Sequence, residues 1–316
     1  MRALARLGAA PWLWAWLGAV AVWGATAIFT GGTGSTAVIT AALTFGAFYV
    51  MVALGQMFVI TLGPGNVDLS IPACMTLAAT VALKTMDGAA AMIPVGFVIA
   101  LVIGLGVGGI NYALIRLLRI PPIIATLSSS FVFQSAAIWW NRGLRVKPPE
   151  ILGNFTTATI AGVPAMALVV LVLAVAMHVV LTRTPYGRAV LAVGQNPRAA
   201  HLAGVNVERT KAATYIMCGA LAGLTGYFLA AFSGGAALNM GEEYLLSSIA
   251  VVVIGGTSVA GGYANVPGLW GAALFLFLLV TMFNTFGADA GVRLVFTGLI
   301  IVAVIVAASG RRLRLR

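Results

Sequence analysis

Long apolar runs, separated by short polar or glycine-rich stretches, dominate the chain. Ten of them approach or reach the roughly 20 residues that a helix needs to cross the hydrocarbon core of a bilayer. They lie at about 11–29, 36–62, 70–86, 90–117, 121–140, 162–182, 212–232, 244–261, 267–286 and 292–309. None alternates with period two, and Ala, Leu and Gly prevail, so each reads as a helix. Lipid enforces the same choice, because backbone N–H and C=O groups left open there are costly. The first run also has the grammar of a secretory signal: Arg2 and Arg6, an apolar stretch, then Ala-Thr-Ala ending at Ala27. Its length and the nine runs behind it favour a retained helix. No linker or low-complexity segment divides the chain, so residues 1–316 read as one transmembrane domain.

Two interruptions resemble each other. The second run leads into "TLGPGNVDLSIP" and the seventh into "SGGAALNMGEEY": each is a helix, a Gly-rich break, an acid, then another helix. Threading ten spans puts one break near each side of the membrane, as an inverted-topology repeat requires.

Composition and charge give direction to this picture. Of the residues, 61% are hydrophobic and 8% charged, against about 25% charged in soluble domains. The net charge of +11 would suggest nucleic acid in a soluble protein. Here it reads as membrane topology, with no nucleic-acid partner, because Lys and Arg accumulate in cytoplasmic loops. With the N-terminus inside, 13 of the 18 basic residues fall inside and five outside (Lys84, Arg142, Arg145, Lys147 and Arg293). Both termini are therefore expected to be cytoplasmic. The two cysteines, Cys74 and Cys218, imply neither a disulfide framework nor a metal site, and no His/Cys/Asp cluster has ligand spacing. Trp12, Trp14, Trp16, Trp139 and Trp140 sit near span ends as interface anchors.

Five of the 18 basic residues fall between Arg183 and Lys211. Inside this 183–211 loop, "NPRAAHLAG" reads as a short helix. Asn196 is placed to cap it, Pro197 occupies its first position, and Gly204 suits the left-handed residue that ends it. Asn206 reads as a second cap, with Glu208 in the favoured first turn of the next helix. A two-turn helix is marginal alone, so it lies on its own domain or docks into a partner; a merely solvated loop is the plain alternative. The chain has no G-x-x-x-x-G-K-[ST] and so no P-loop of its own. If ATP drives transport, the engine is another subunit.

The stretch "YGRAVLAVGQNPRAAHLAGVNVERTKAATYIMCGALAGLTGY" resembles the coupling region of ribose-type permeases of ATP-binding-cassette importers. The matching residues include Gly187, Gly194, Asn196, Ala199, Ala200, Gly204, Asn206 and Lys211. "NVDLSIP", "IPPIIATL" and "IAVVVIGGTSVAGGYANVPGLWGA" resemble three further family motifs, in the family's order, so the resemblance spans roughly residues 45–305. It implies an all-α integral membrane permease of about ten transmembrane helices, vitamin-B12-importer-like (type II), with an inverted internal repeat. It also implies a second permease copy or sibling, an ATP-binding cassette subunit carrying ATP and Mg, a periplasmic substrate-binding protein and a bacterial inner-membrane location. No cofactor is expected in this chain, and no enzymatic activity. The coupling set would be Gly187, Asn196, Pro197, Arg198, Ala199, Ala200, His201, Gly204, Asn206 and Arg209. Ala199 and Ala200 would let the helix lie flat in the ATPase, and Arg198 and Arg209 would meet acidic rims.

Asp68 stands out, because a carboxylate within a span is costly and usually functional. It sits where Pro64 and two glycines break the helix, as residues lining a pathway do; alternatively Asp68 or Ser70 caps the helix starting near Ile71. Gln56, Asn111, Ser128, Ser129, Ser130, Gln134 and Asn284 are further polar residues within spans, for each of which helix–helix hydrogen bonding is the plainer role. Asn66, Asp68, Ser70, Gln56, Ser129, Gln134 and Asn284 form the expected translocation set. "IGGTSVAGG" reads as a tight turn near the cytoplasmic face. The chain departs from the family pattern at Gly65-Asn66, Ile71-Pro72 and Gln134-Ser135. Around Tyr244, Leu245 and Ser247 replace the usual acids, and Glu242 and Glu243 stand just before it. These departures point to a sibling subunit and away from plain ribose. A monosaccharide or related polyol is the expected cargo. Nucleosides or branched-chain amino acids keep the machine and change the cargo. A secondary transporter would need more ion-coupling carboxylates than Asp68, and an assembly protein would leave the loop unexplained.

Overall fold

The computed structural model describes residues 11–32, 35–141 and 146–287, with isolated positions between 289 and 302. The expected tenth span at 292–309 is described only at such isolated positions, and the basic residues Arg2, Arg6, Arg142, Arg145, Arg293, Arg311, Arg312, Arg314 and Arg316 lie outside the described residues. The helices are α1 (Pro11–Phe29), α2 (Ser35–Thr61), α3 (Ile71–Met86), α4 (Ile93–Leu117), α5 (Pro122–Trp140), α6 (Glu150–Thr157), α7 (Ala165–Arg183), α8 (Pro185–Gln195), α9 (Pro197–Leu202), α10 (Val207–Phe232), α11 (Glu242–Ile254) and α12 (Val266–Thr285). Strands β1 (Thr159–Ile160) and β2 (Val163–Pro164) form a small antiparallel hairpin before α7.

Among the described residues, seven helices are long and apolar enough to cross a membrane: α1, α2, α4, α5, α7, α10 and α12. Two of the ten expected spans are shorter. The run at 70–86 becomes the 16-residue α3 and the run at 244–261 the 13-residue α11. At 1.5 Å per residue these measure about 24 and 20 Å, less than a ~30 Å core. The reason is local, since residues 62–70 and 233–241 are non-helical backbone.

The two short helices begin at one place. Gly241, the residue before α11, lies against Pro72 of α3 so closely that a Cβ there would strike the Pro72 backbone. From this point they leave in opposite directions. At the far end of α3, Lys84 donates to the Trp140 carbonyl (2.8 Å), and Met86 lies by Tyr227 in the last turns of α10. Beyond the far end of α11, the Gly262 N–H donates to the Thr61 carbonyl (2.9 Å).

Helix α10 lies at the centre, against α2, α3 and α4. Its glycines make this possible. A Cβ at Gly219 or Gly223 would meet the carbonyl of Gly104 or Ala100 on α4, and one at Gly104 or Gly108 would meet the α10 backbone. Side chains forced into such contacts cost roughly 1–3 kcal/mol or more. Close backbone approach of this kind replaces the hydrophobic drive that lipid does not supply. Trp16 donates to the Pro267 carbonyl (3.2 Å) and packs on Gly271, tying α1 to α12.

Candidate functional site

The break after α2 turns back into the bundle and carries Asp68 to a buried position among polar side chains. Asp68 is 1% exposed, and Gln56, Ser70, Asn111 and Thr126 are each 0%. Asp68 Oδ1 accepts from the Ser70 N–H (2.9 Å) and the Ser70 hydroxyl (2.7 Å), and the Asn111 amide stands 3.4 Å from it. Asn111 also donates to Ser70 Oγ (2.6 Å) and accepts from Ser129 Oγ (2.5 Å). The Asp68 N–H donates to Gln56 Oε1 (3.2 Å), the Leu69 N–H to Thr126 Oγ1 (3.1 Å), and Tyr215 to Asn66 Oδ1 (3.2 Å). Side chains from α2, α4, α5 and α10 thus fix one non-helical segment. Backbone that cannot bond to itself must find partners when buried.

Neither Asp68 nor Ser70 makes a side-chain cap bond to the N–H groups of α3. Asp68 binds the Ser70 N–H ahead of that helix. Asp68 Oδ2 accepts from no N–H or O–H and Gln56 Nε2 finds no acceptor, although both are buried; the Cys218 thiol lies beside the carboxylate. An acceptor and a donor therefore stand open in one cluster, where open polar groups cost the most.

Of the expected translocation set, Asn66, Asp68, Ser70, Gln56 and Ser129 come together and two residues do not. Gln134 donates to the Leu238 carbonyl (2.7 Å) and so holds the second break. Asn284 is exposed at the end of α12. Asn111 and Thr126 complete the cluster. Asn111 is visible in sequence as an amide inside an apolar span, whereas nothing local marks Thr126. Glu242 and Glu243, in the first turn of α11, are both exposed although their helix starts in the interior of the bundle beside Pro72.

The 183–211 segment folds as its caps dictate. Asn196 Oδ1 accepts from the N–H groups of Arg198 (3.0 Å) and Ala199 (3.1 Å) at the start of α9, with Pro197 in its first turn. Gly204 is left-handed at φ 86°. Asn206 Oδ1 accepts from the Arg209 N–H (3.0 Å) to start α10. Arg198, Ala199, His201 and Leu202 are exposed on α9, Leu202 at 88%. Ala200 is buried at 5%, so of the two alanines only Ala199 faces outward. Gly187 serves packing: a Cβ there would strike the Val180 and Leu181 carbonyls of α7. Burial pushes the Tyr186 hydroxyl up to about 12, so it stays a neutral partner for Thr214 at 2.8 Å.

Beside α9 runs a groove of about 640 Å³ lined by Arg116, Arg198, His201, Asn206, Glu208 and Lys211, among others. Basic residues from the α4 end and the α9–α10 segment therefore share one end of the molecule, while Lys84 and Trp140 meet at the other. Glu208 Oε2 accepts from Tyr112 (2.7 Å) and pairs with Arg116 Nε (3.0 Å), linking the first turn of α10 to α4. At the near end of α9, Gly194 sits where a Cβ would strike Thr61 and Gly262, and Gly261 (φ 83°) lies on Gly63. The "IGGTSVAGG" turn therefore packs on both the end of α2 and the end of α8. Among the described residues no group of His, Cys, Asp and Glu is placed to hold a metal.

Comparison with known proteins adds to this geometry. Residues 38–305 match the family described as "Branched-chain amino acid transport system / permease component". The ribose import permease of Bacillus subtilis is 32% identical over 262 residues, covering 79% of this chain and 78% of that protein. The fructose import permease of Bifidobacterium longum is 26% identical, covering 82% and 74%. An autoinducer 2 import system permease of Enterobacter is 30% identical, covering 81% and 74%. No solved structure matches the chain. With a buried polar break, a capped outward-facing helix and a match over most of its length, the chain belongs to this family of multi-pass membrane permease components.

Proposed function

We propose that the chain is the permease subunit of an ATP-driven importer and lines the pathway for a monosaccharide or related polyol. The observation that carries this reading is α9, a capped six-residue helix whose outward face ends in the 88% exposed Leu202. A six-residue helix is marginal alone, and the face of α9 that carries Arg198, Ala199, His201 and Leu202 is exposed for another subunit to cover. That subunit would be an ATP-binding cassette protein carrying the ATP and Mg, since this chain has no P-loop. Residues 183–211 are its coupling loop within a single transmembrane domain, and no cofactor is bound by the permease itself.

The cargo follows the relatives, which are named for ribose, fructose and autoinducer 2 import. A periplasmic binding protein would deliver it, and a second permease copy or a sibling would complete the pore. Glu242 and Glu243 support that pore, because exposed carboxylates in the interior of a bilayer must face water or protein. The opposed short helices α3 and α11 support an inverted repeat in a type II, vitamin-B12-importer-like permease of about ten spans. The site is the bacterial inner membrane, with α9 and both termini cytoplasmic.

The reading is tested by isolating the permease from its native membrane and assaying vanadate-sensitive ATP hydrolysis in the complex. The expected result is a co-purified ATPase that Leu202→Asp removes at least tenfold. A wild-type permease that drives solute uptake with no ATPase bound would contradict it.

A further inference from the structure

We infer that Glu208 is a positioning residue that carries movement of α9 into the Asp68 cluster, as one of two links joining the flanks of α9 to the two ends of the polar break. The inference rests on the reading of α9 as the ATPase contact.

Downstream of α9, Asn206 caps α10, and Glu208 in its first turn holds Tyr112 (2.7 Å) and Arg116 (3.0 Å) on α4 with one oxygen. Asn111, the neighbour of Tyr112, holds Ser70 (2.6 Å) and Ser129 (2.5 Å) in the cluster. Helices α4 and α10 leave no slack between them, because a Cβ at Gly104, Gly108, Gly219 or Gly223 would strike the facing backbone. Rotation of the first turn of α10 is therefore passed to α4 as a body, and with it to Asn111. Upstream of α9, Gln195 and Gly194 pack on Gly262, whose N–H holds the Thr61 carbonyl (2.9 Å) at the other end of the break. One flank thus grips the segment before Gly63 and the other grips Asp68 and Ser70. A tilt of α9 about its own centre would shear the break between them. Arg116 and Glu208 are half-exposed, so the ion pair is weak as a stabiliser; its role is to fix direction, with Tyr112 as the less exposed half of the grip.

The chain supplies its own reporters. Its only cysteines, Cys74 and Cys218, are buried; Cys74 lies against the Gly219 carbonyl (3.5 Å) and Cys218 beside the Asp68 carboxylate. The test measures their alkylation by N-ethylmaleimide in the co-purified permease–ATPase complex, with and without vanadate trapping. Wild type is expected to change its alkylation rate at least fivefold on trapping. Glu208→Ala, and from the α4 side Tyr112→Phe with Arg116→Met, are expected to lose most of that change in complexes that still hold the ATPase. Glu208→Asp is expected to restore part of it. Variants that keep the full fivefold change, or a wild-type complex with bound ATPase whose cysteines do not respond, would overturn the inference and leave the ATPase reading standing. Failure of wild type to hold an ATPase would overturn the reading itself.

Discussion

Asp68 Oδ1 collects the Ser70 N–H, the Ser70 hydroxyl and the Asn111 amide, while Oδ2 accepts from no N–H or O–H. The charge itself is thus less well served than the geometry around it. Asp68→Asn keeps an oxygen for the same donors and removes the charge, so thermal unfolding in detergent is expected to match or exceed wild type. Asp68→Leu strands those donors and is expected to lose about 2–4 kcal/mol. At Gly194 the limit is steric. Gly194→Ala places a methyl on the Thr61 carbonyl and is expected to lose at least about 2 kcal/mol, read by the same unfolding assay. Asp68 was legible as a site because a carboxylate between apolar spans is costly to keep and so marks a role. Thr126, which holds the Leu69 N–H, was not: a threonine within a helix bonds its own turn, as this one also does to Pro122, and only the fold brings the break to it.

The 183–211 segment was the most legible element, since Asn196, Pro197, Gly204 and Asn206 are local cap signals and each occupies its expected place. Which face of α9 looks outward was not legible, because six residues show no reliable apolar stripe. The sequence pairs Ala199 with Ala200, whereas Ala200 is buried and Leu202 is bare. A substitution at Ala200 therefore tests the fold of the loop, and substitutions at Leu202 or Arg198 test docking. Leu202→Asp is expected to change the stability of the isolated permease by less than about 0.5 kcal/mol while releasing the ATPase. The run at 70–86 was already among the shortest expected and folds at nearly that length, whereas the run at 244–261 ends as a helix at Ile254 because hydropathy counts apolar residues and does not register that the glycines from Gly255 onward turn the chain out of the helix.

At the scale of the whole molecule, α3 and α11 start together at Pro72 and Gly241 and point to opposite ends, so both breaks feed one central region. Glu242 and Glu243 are exposed beside that region. Glu242→Cys in a permease with Cys74→Ser and Cys218→Ser is expected to react with a water-soluble thiosulfonate in the assembled importer; a lipid-facing position would not. The central claim is that force reaches this region from α9 on an ATPase that the chain lacks. The most direct measurement is vanadate-sensitive ATP hydrolysis in permease purified from its own membrane, wild type against Leu202→Asp. Activity is expected with wild type, and a loss of at least tenfold with the variant. Equal activity in both, or transport by wild-type permease carrying no ATPase, would contradict the claim.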